Sequence, residues 1–351
     1  MAQSAVTTPE VPASTPPHAV PPRPADARRF PRHTYGALDL GTNNCRLLIA
    51  RPAEDGFVVV DAFSRVVRLG EGLAASGRIS DAAIERALGA LAICADKLRR
   101  RKVSLARSVA TEACRRAVNG RDFVERVHNE TGIALDIIAP EEEARLAMLG
   151  CHRLLEPGDG PALIFDIGGG STELVLVDTD GTAVPRIKSW WSAPWGVVSL
   201  TESESRDLKD TADRIAAFGR MRERVRHAFR RFAELLPANK ENIRLMGTSG
   251  TVTTLASVHL ALPSYDRRAV DGLMVPAESM REISRMMSGM SLEERAALPC
   301  IGLERADLVV AGCAILDAIM DIWPAKTLGV ADRGIREGIL RSLMARDGHK
   351  I

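Results

Sequence analysis

Ile164-Phe165-Asp166-Ile167-Gly168-Gly169-Gly170-Ser171-Thr172-Glu173-Leu174-Val175-Leu176 reads as a strand, a tight tip and a returning strand. Ala37-Leu38-Asp39-Leu40-Gly41-Thr42-Asn43-Asn44-Cys45-Arg46-Leu47-Leu48-Ile49, about one domain earlier, has the same form. Each copy runs through apolar residues to an Asp, crosses a tip of small residues and returns as apolar strand, which predicts a β-hairpin. Free amides at such a tip suit anionic oxygens, and the carboxylate beside them suits a hard cation that neutralises those oxygens. An Asp before a Gly is by itself ordinary turn chemistry. Turn chemistry alone does not repeat the Asp position, the tip length and the flanking strands together. The repeat therefore predicts two related lobes facing each other across a phosphate-filled cleft.

Outward from the hairpins, strands alternate with helices, the pattern of an α/β protein. Ser80 is placed to cap a helix whose apolar residues Ile84, Leu88, Leu91, Ala95 and Leu98 recur at helical spacing, closed by the basic run Arg99 to Lys102. A strand from Val103 to Ala110 enters Thr111-Glu112-Ala113-Cys114-Arg115-Arg116-Ala117. A helix from Arg121 to Glu130, a strand from Ala134 to Ala139 and a helix opened by Pro140 and three glutamates follow. Leu155 to Pro161 reads as a linker, and Gly247-Thr248-Ser249-Gly250-Thr251 as a third small-residue turn. The last helices are expected from Glu304 to Ile322 and from Gly334 to Ala345.

A chain of 351 residues is long enough for two domains with their own cores. Its net charge of +2 gives no general pull toward nucleic acid or a membrane surface, so anion binding must be local. No run reaches the roughly 20 apolar residues that span a bilayer. The first 33 residues, rich in Pro, Ala, Ser and Thr, are expected to be a disordered tail without the apolar stretch of a secretion signal. The six cysteines form no CxxC pair and do not cluster with histidines. They read as reduced, mostly buried thiols of a cytoplasmic protein rather than a zinc site.

Read locally, Asp39 and Asp166 are the first candidates for cation and phosphate work. Gly168, Gly169, Gly170 and Ser171 allow backbone to approach a phosphate. Glu173 is equally a cation neighbour and an exposed strand residue. Arg115 or Arg116 could fork onto a phosphate or form a surface ion pair. One of Glu141, Glu142 and Glu143 could face the cleft as a general base, although acids at a helix start also favour the dipole. Trp190, Trp191 and Trp195 read as core or interface before a base-binding wall.

These motifs in this order resemble the exopolyphosphatase/guanosine pentaphosphate phosphohydrolase family. The resemblance spans about residues 34 to 345 and also rests on Glu142-Glu143-Ala144-Arg145-Leu146 and Asp332-Arg333-Gly334-Ile335-Arg336-Glu337-Gly338-Ile339. It implies two actin-like, ribonuclease H-like lobes with an interlobe cleft, as in the actin, sugar kinase and heat-shock ATPase superfamily. The lobes are expected at residues 34–146 and 147–351, the final helix being a candidate to pack back on the first. It implies Glu143 as general base, Arg115 as a ligand of the substrate phosphate, and Asp39, Asp166 and Glu173 as carboxylates for magnesium (or manganese). Gly41, Thr42, Asn43, Asn44, Cys45 and Arg46, then Gly168 to Ser171, would be phosphate cradles, with Thr248, Ser249 and Gly250 as a third turn.

The implied activity is hydrolysis of the terminal phosphate of polyphosphate, of guanosine pentaphosphate, or of both. The chain ends where longer members add helical domains, so it resembles the short, two-domain type. A non-catalytic sensor of guanosine tetra- or pentaphosphate or polyphosphate, and a superfamily kinase, are the rival readings. A homodimer is plausible for such lobes, with no membrane and no specific nucleic-acid partner.

Overall fold

The computed structural model describes residues 33–54, 56–155, 160–179, 184–204, 208, 210–236 and 244–349. The expected tail, up to residue 32, and the middle of the expected linker lie outside the described residues.

Two sheets carry the molecule. The first is built from β1 (Tyr35–Leu40), β2 (Asn44–Ala53), β3 (Gly56–Val66), β4 (Leu105–Ala110) and β5 (Leu135–Ile137), in the order β3-β2-β1-β4-β5. The second holds β6 (Pro161–Ile167), β7 (Thr172–Asp178), β8 (Arg186–Ala193), β9 (Arg244–Thr248), β10 (Met274–Pro276) and β11 (Thr327–Ala331), in the order β10-β11-β9-β6-β7-β8. In each, three antiparallel strands meet two parallel ones at the strand that carries the hairpin Asp. The second sheet adds only β10 at its edge. This repeated α/β layout matches the two related lobes expected from the repeat and the ribonuclease H-like architecture implied by the resemblance.

Local chemistry explains the helices that position the site. Ser80 accepts from the Ala83 amide and starts the helix Asp81–Arg100, whose residues Ile84, Leu88 and Leu91 are buried. Pro140 opens the helix Pro140–Cys151, where its missing N–H costs nothing and three glutamates meet the positive dipole end. The helix expected from Glu304 to Ile322 is broken into Leu303–Ala306 and Val309–Ile322. The buried Arg295 donates to the Ala306 carbonyl at 2.8 Å, taking an acceptor that a continuous helix would use.

The helix Ile335–Arg346 packs on Pro140–Cys151 and shares a core with Tyr35, Ala37 and Leu48 of the first sheet. These helices cross at backbone contact. A Cβ on Gly150 would lie 2.0 Å from the Gly334 carbonyl oxygen, and one on Gly338 would lie 2.0 Å from that of Leu146. Among the described residues no helix is long and apolar enough to cross a membrane.

Candidate active site

The two hairpin tips are closed by the same bond. The Gly41 amide donates to the Asn44 carbonyl and the Gly168 amide to that of Ser171, each at 2.9 Å. One register step below each tip comes the Asp, paired with Arg46 in the first hairpin and with Glu173 in the second. The tips touch. A Cβ on Gly169 would lie 2.9 Å from Thr42 Cβ and 3.0 Å from the Asn43 amide nitrogen. Lobe-to-lobe contact therefore requires glycine there, beyond anything a phosphate requires. Between the tips lies a cavity of about 380 Å³, walled also by Ser249 and Gly250 of the third turn. Three buried polar atoms in these walls have no hydrogen-bond partner: Asp39 Oδ1, Asn43 Oδ1 and Ser249 Oγ. Ser249 has a φ of 101°, a conformation that favours glycine, and such strain persists where surroundings impose it.

Of the carboxylates that line this space, Asp39, Glu143, Asp166 and Glu173 bind protons more tightly than usual. Burial is the first cause that raises the proton affinity of each. Arg46 and Arg336 counter it at Asp39. Asp39 adds to it at Asp166, which rises to about 6, and Asp166 adds to it at Glu173, which rises to about 7. Glu143 is raised well above the ordinary carboxylate range by burial and then by Glu173, while Arg115 opposes both.

The first turn of Pro140–Cys151 sorts its three glutamates. Glu141 is exposed, and Glu142 is drawn away by Arg145 and Arg107, which hold its pKa down at about 2. Glu143, 6% exposed, turns into the cleft. Its Oε2 accepts from Arg115 Nη1 at 2.9 Å. Arg115 Nη1 also donates to the Ile138 carbonyl, and its Nε and Nη2 both donate to Glu112 Oε2.

Most expected site residues line the cavity: Asp39, Gly41, Thr42, Asn43, Asn44, Arg46, Glu143, Asp166, Gly168 to Ser171, Glu173, Ser249 and Gly250. Three do not. Arg115 stands behind Glu112 and Glu143, its guanidinium taken up by protein acceptors. Cys45 lies on the opposite strand face from Asn44 and Arg46, buried with its Sγ 3.9 Å from that of Cys94. Thr248 gives its hydroxyl to the Arg333 carbonyl at 2.6 Å. The cavity wall also includes Glu112, Arg65 on β3, and Arg305, whose Nη1 donates to Thr254 Oγ1 at 3.0 Å. The basic Arg336 acts on both Asp39 and Arg46. Neither Arg65 nor Arg305 carries a local signal, since each is a lone arginine between ordinary residues. Trp191 and Trp195 pack on the larger core and Trp190 on a smaller one, away from the cavity.

A divalent cation in this cleft would need ligands from outside the protein. Among the described residues no three acidic, His or Cys groups converge to hold one alone. Asp39 and Asp166 nevertheless feel each other's charge across the cleft, and Asp39 Oδ1 is buried without a partner. Two carboxylates with remaining ligands from water and phosphate is the arrangement magnesium prefers. The residues fit that ion.

The Ppx/GppA phosphatase family is matched over residues 48–347. Exopolyphosphatase 2 of Mycobacterium tuberculosis is 32% identical over 88% of this chain and 97% of its own length. A Ppx/GppA family member from Aquifex aeolicus superposes with a TM-score of 0.74 at 27% identity, covering 91% of this chain and 99% of that one. An exopolyphosphatase from Cytophaga hutchinsonii shares the fold, with a TM-score of 0.79 at 23% identity over 91% of this chain and 99% of that one. This chain belongs to the Ppx/GppA phosphatase family.

Proposed function

We propose that the protein hydrolyses a phosphoanhydride, releasing the terminal phosphate of inorganic polyphosphate or of guanosine pentaphosphate. The observation that carries this is Glu143: a buried carboxylate with raised proton affinity, turned into a cavity walled by two Asp-bearing hairpin tips. A carboxylate becomes a stronger base as its proton affinity rises, and burial raises that of Glu143. Arg46 and the tip amides hold the terminal phosphate, with Asn43 and Ser249 as further polar contacts. Arg115 fixes Glu143 rather than the substrate.

Glu143 takes a proton from water as the water oxygen bonds to the terminal phosphorus. The bridging P–O bond breaks, and its electron pair leaves with the shortened chain. Most of the rate gain comes from alignment and charge placement, as is general for phosphoryl transfer. Asp39 and Asp166, with Glu173 beside them, would hold magnesium or manganese, which when bound offsets negative charge on the phosphates.

The test is direct. Purified protein with magnesium is offered polyphosphates of several lengths and guanosine pentaphosphate, with no acceptor present, and orthophosphate is measured. Release is expected, and Glu143→Gln is expected to slow it by about 10²–10⁴-fold with binding retained. Tight binding without release would instead make the protein a sensor, and release only with an acceptor would make it a kinase.

A further inference from the structure

The guanidinium of Arg115 lies between two acids and is held unequally by them. Glu112 Oε2 takes Nη2 at 2.6 Å and Nε at 3.2 Å. Glu143 Oε2 takes only Nη1, at 2.9 Å, and shares it with the Ile138 carbonyl at 2.7 Å. Two nitrogens on one oxygen fix the guanidinium edge, leaving the Nη1 corner as the part presented to Glu143. Glu112 is itself fixed. It lies in the short helix Glu112–Arg116, and a Cβ on Gly170 of the second tip would come within 3.0 Å of its Cγ.

Glu112 is also an acid in the wall of a cleft built for anions. Its charge opposes the substrate there, so its presence needs a reason beyond binding. The charge goes instead to Arg115, the ion-pair partner of Glu143.

We propose that Glu112 is a positioning residue that locks Arg115 so that Arg115 holds the Glu143 carboxylate in its attacking orientation. Glu112 acts through Arg115 and touches neither water nor phosphate. The inference rests on the reading of Glu143 as the base. It assigns the chain Glu112–Arg115–Glu143 an order: the outer acid sets the cation, and the cation sets the base. Small displacements of a reacting group cost rate rather than affinity, and about 1 Å can cost 10²-fold.

The experiment uses the full chain, with kcat and KM for polyphosphate measured by orthophosphate release. Four variants are compared: Glu112→Ala, Glu112→Gln, Arg115→Ala and the double variant Glu112→Ala/Arg115→Ala. Glu112→Ala is expected to lower kcat about 10- to 100-fold and leave KM within about twofold, the pattern of a lost alignment. Glu112→Gln keeps an acceptor oxygen for Nε and Nη2 and is expected to recover most of kcat, which also answers any failure of the Ala variant to fold. In the Arg115→Ala background, Glu112→Ala is expected to cost nothing further, because its effect has lost its route.

Glu112→Ala with unchanged kcat and a lower KM would overturn the inference, leaving Glu112 as a repulsive wall. An equal loss with and without Arg115 would overturn it as well. The two readings fail separately. Glu143→Gln at full rate removes the base whatever Glu112 does, whereas an inactive Glu143→Gln beside a fully active Glu112→Ala removes only the positioning role.

Discussion

The two hairpins have one geometry and two electrostatic characters. Each places its Asp one register step below a tip closed by the same backbone bond. Asp39 faces a cation across its hairpin, Arg46, and Asp166 faces another acid, Glu173. Burial raises the proton affinity of all three acids. Arg46 and Arg336 counter it at Asp39, Arg46 counters it at Asp166, and Asp166, lifted to about 6, in turn helps lift Glu173 to about 7. The two hairpins share one scaffold and place different groups opposite the Asp, a guanidinium in the first and a carboxylate in the second.

That division can be broken by substitution. The largest expected effect comes from the shared element: Asp39→Ala and Asp166→Ala should each lower magnesium-dependent orthophosphate release about 10³-fold, the loss expected of electrostatic stabilisation. Near-normal release by either variant across a magnesium titration would end the idea that both tips serve one ion. Arg46→Ala should lower kcat/KM by about 10- to 100-fold, with KM raised, since a charged hydrogen bond contributes about 1.5–3 kcal/mol. Glu173→Gln, at the matching position of the other hairpin, should leave KM unchanged. Equal KM effects from the pair would erase the contrast.

Smaller effects sharpen the comparison in stability. Gly169→Ala pushes a methyl group against Thr42 and should cost about 1–3 kcal/mol, read as a fall of several degrees in Tm. Gly41→Ala, whose new Cβ would meet nothing nearer than 3.6 Å, should cost well under half of that. The smallest effect is a pH dependence. Glu173 binds its proton more tightly folded than unfolded, so the native state carries the extra proton between the ordinary carboxylate range and about 7. Stability from this group is present at low pH and lost as pH rises through about 7. Glu173→Gln, permanently neutral, should therefore raise Tm relative to the parent more at pH 8 than at pH 5. A constant difference across that range would mean that Glu173 is not proton-hungry.

The hairpins and the place of each Asp just before its tip were legible in the sequence because strand alternation and turn chemistry are local. The start of the helix carrying Glu143 was legible as well, but its rotation was not. Arg145 is a local partner of Glu142, three residues on in the same helix, but Arg107 on one side and Arg115 on the other, which separate Glu142 from Glu143, are tertiary. Local sequence left a phosphate and a surface ion pair equally open, and only the family resemblance gave the phosphate to Arg115. Its acceptors on Ile138 and Glu143 lie far along the chain and close in space. Cys45 was included because it lies inside a motif, although the pleat turns it to the core. Arg65 and Arg305 carry no motif of their own and enter the site only through folding, whereas Arg336 lies inside the 332–339 motif but had no role read for it.

The glycine crossing of the helices Pro140–Cys151 and Ile335–Arg346 has a mechanical consequence. No side chain stands between the two backbones at Gly150 and Gly338, so nothing there can be compressed. Any side chain added at either contact would push the two helices apart, and because one helix carries Glu143 and the other Arg336, it would shift those two residues relative to each other.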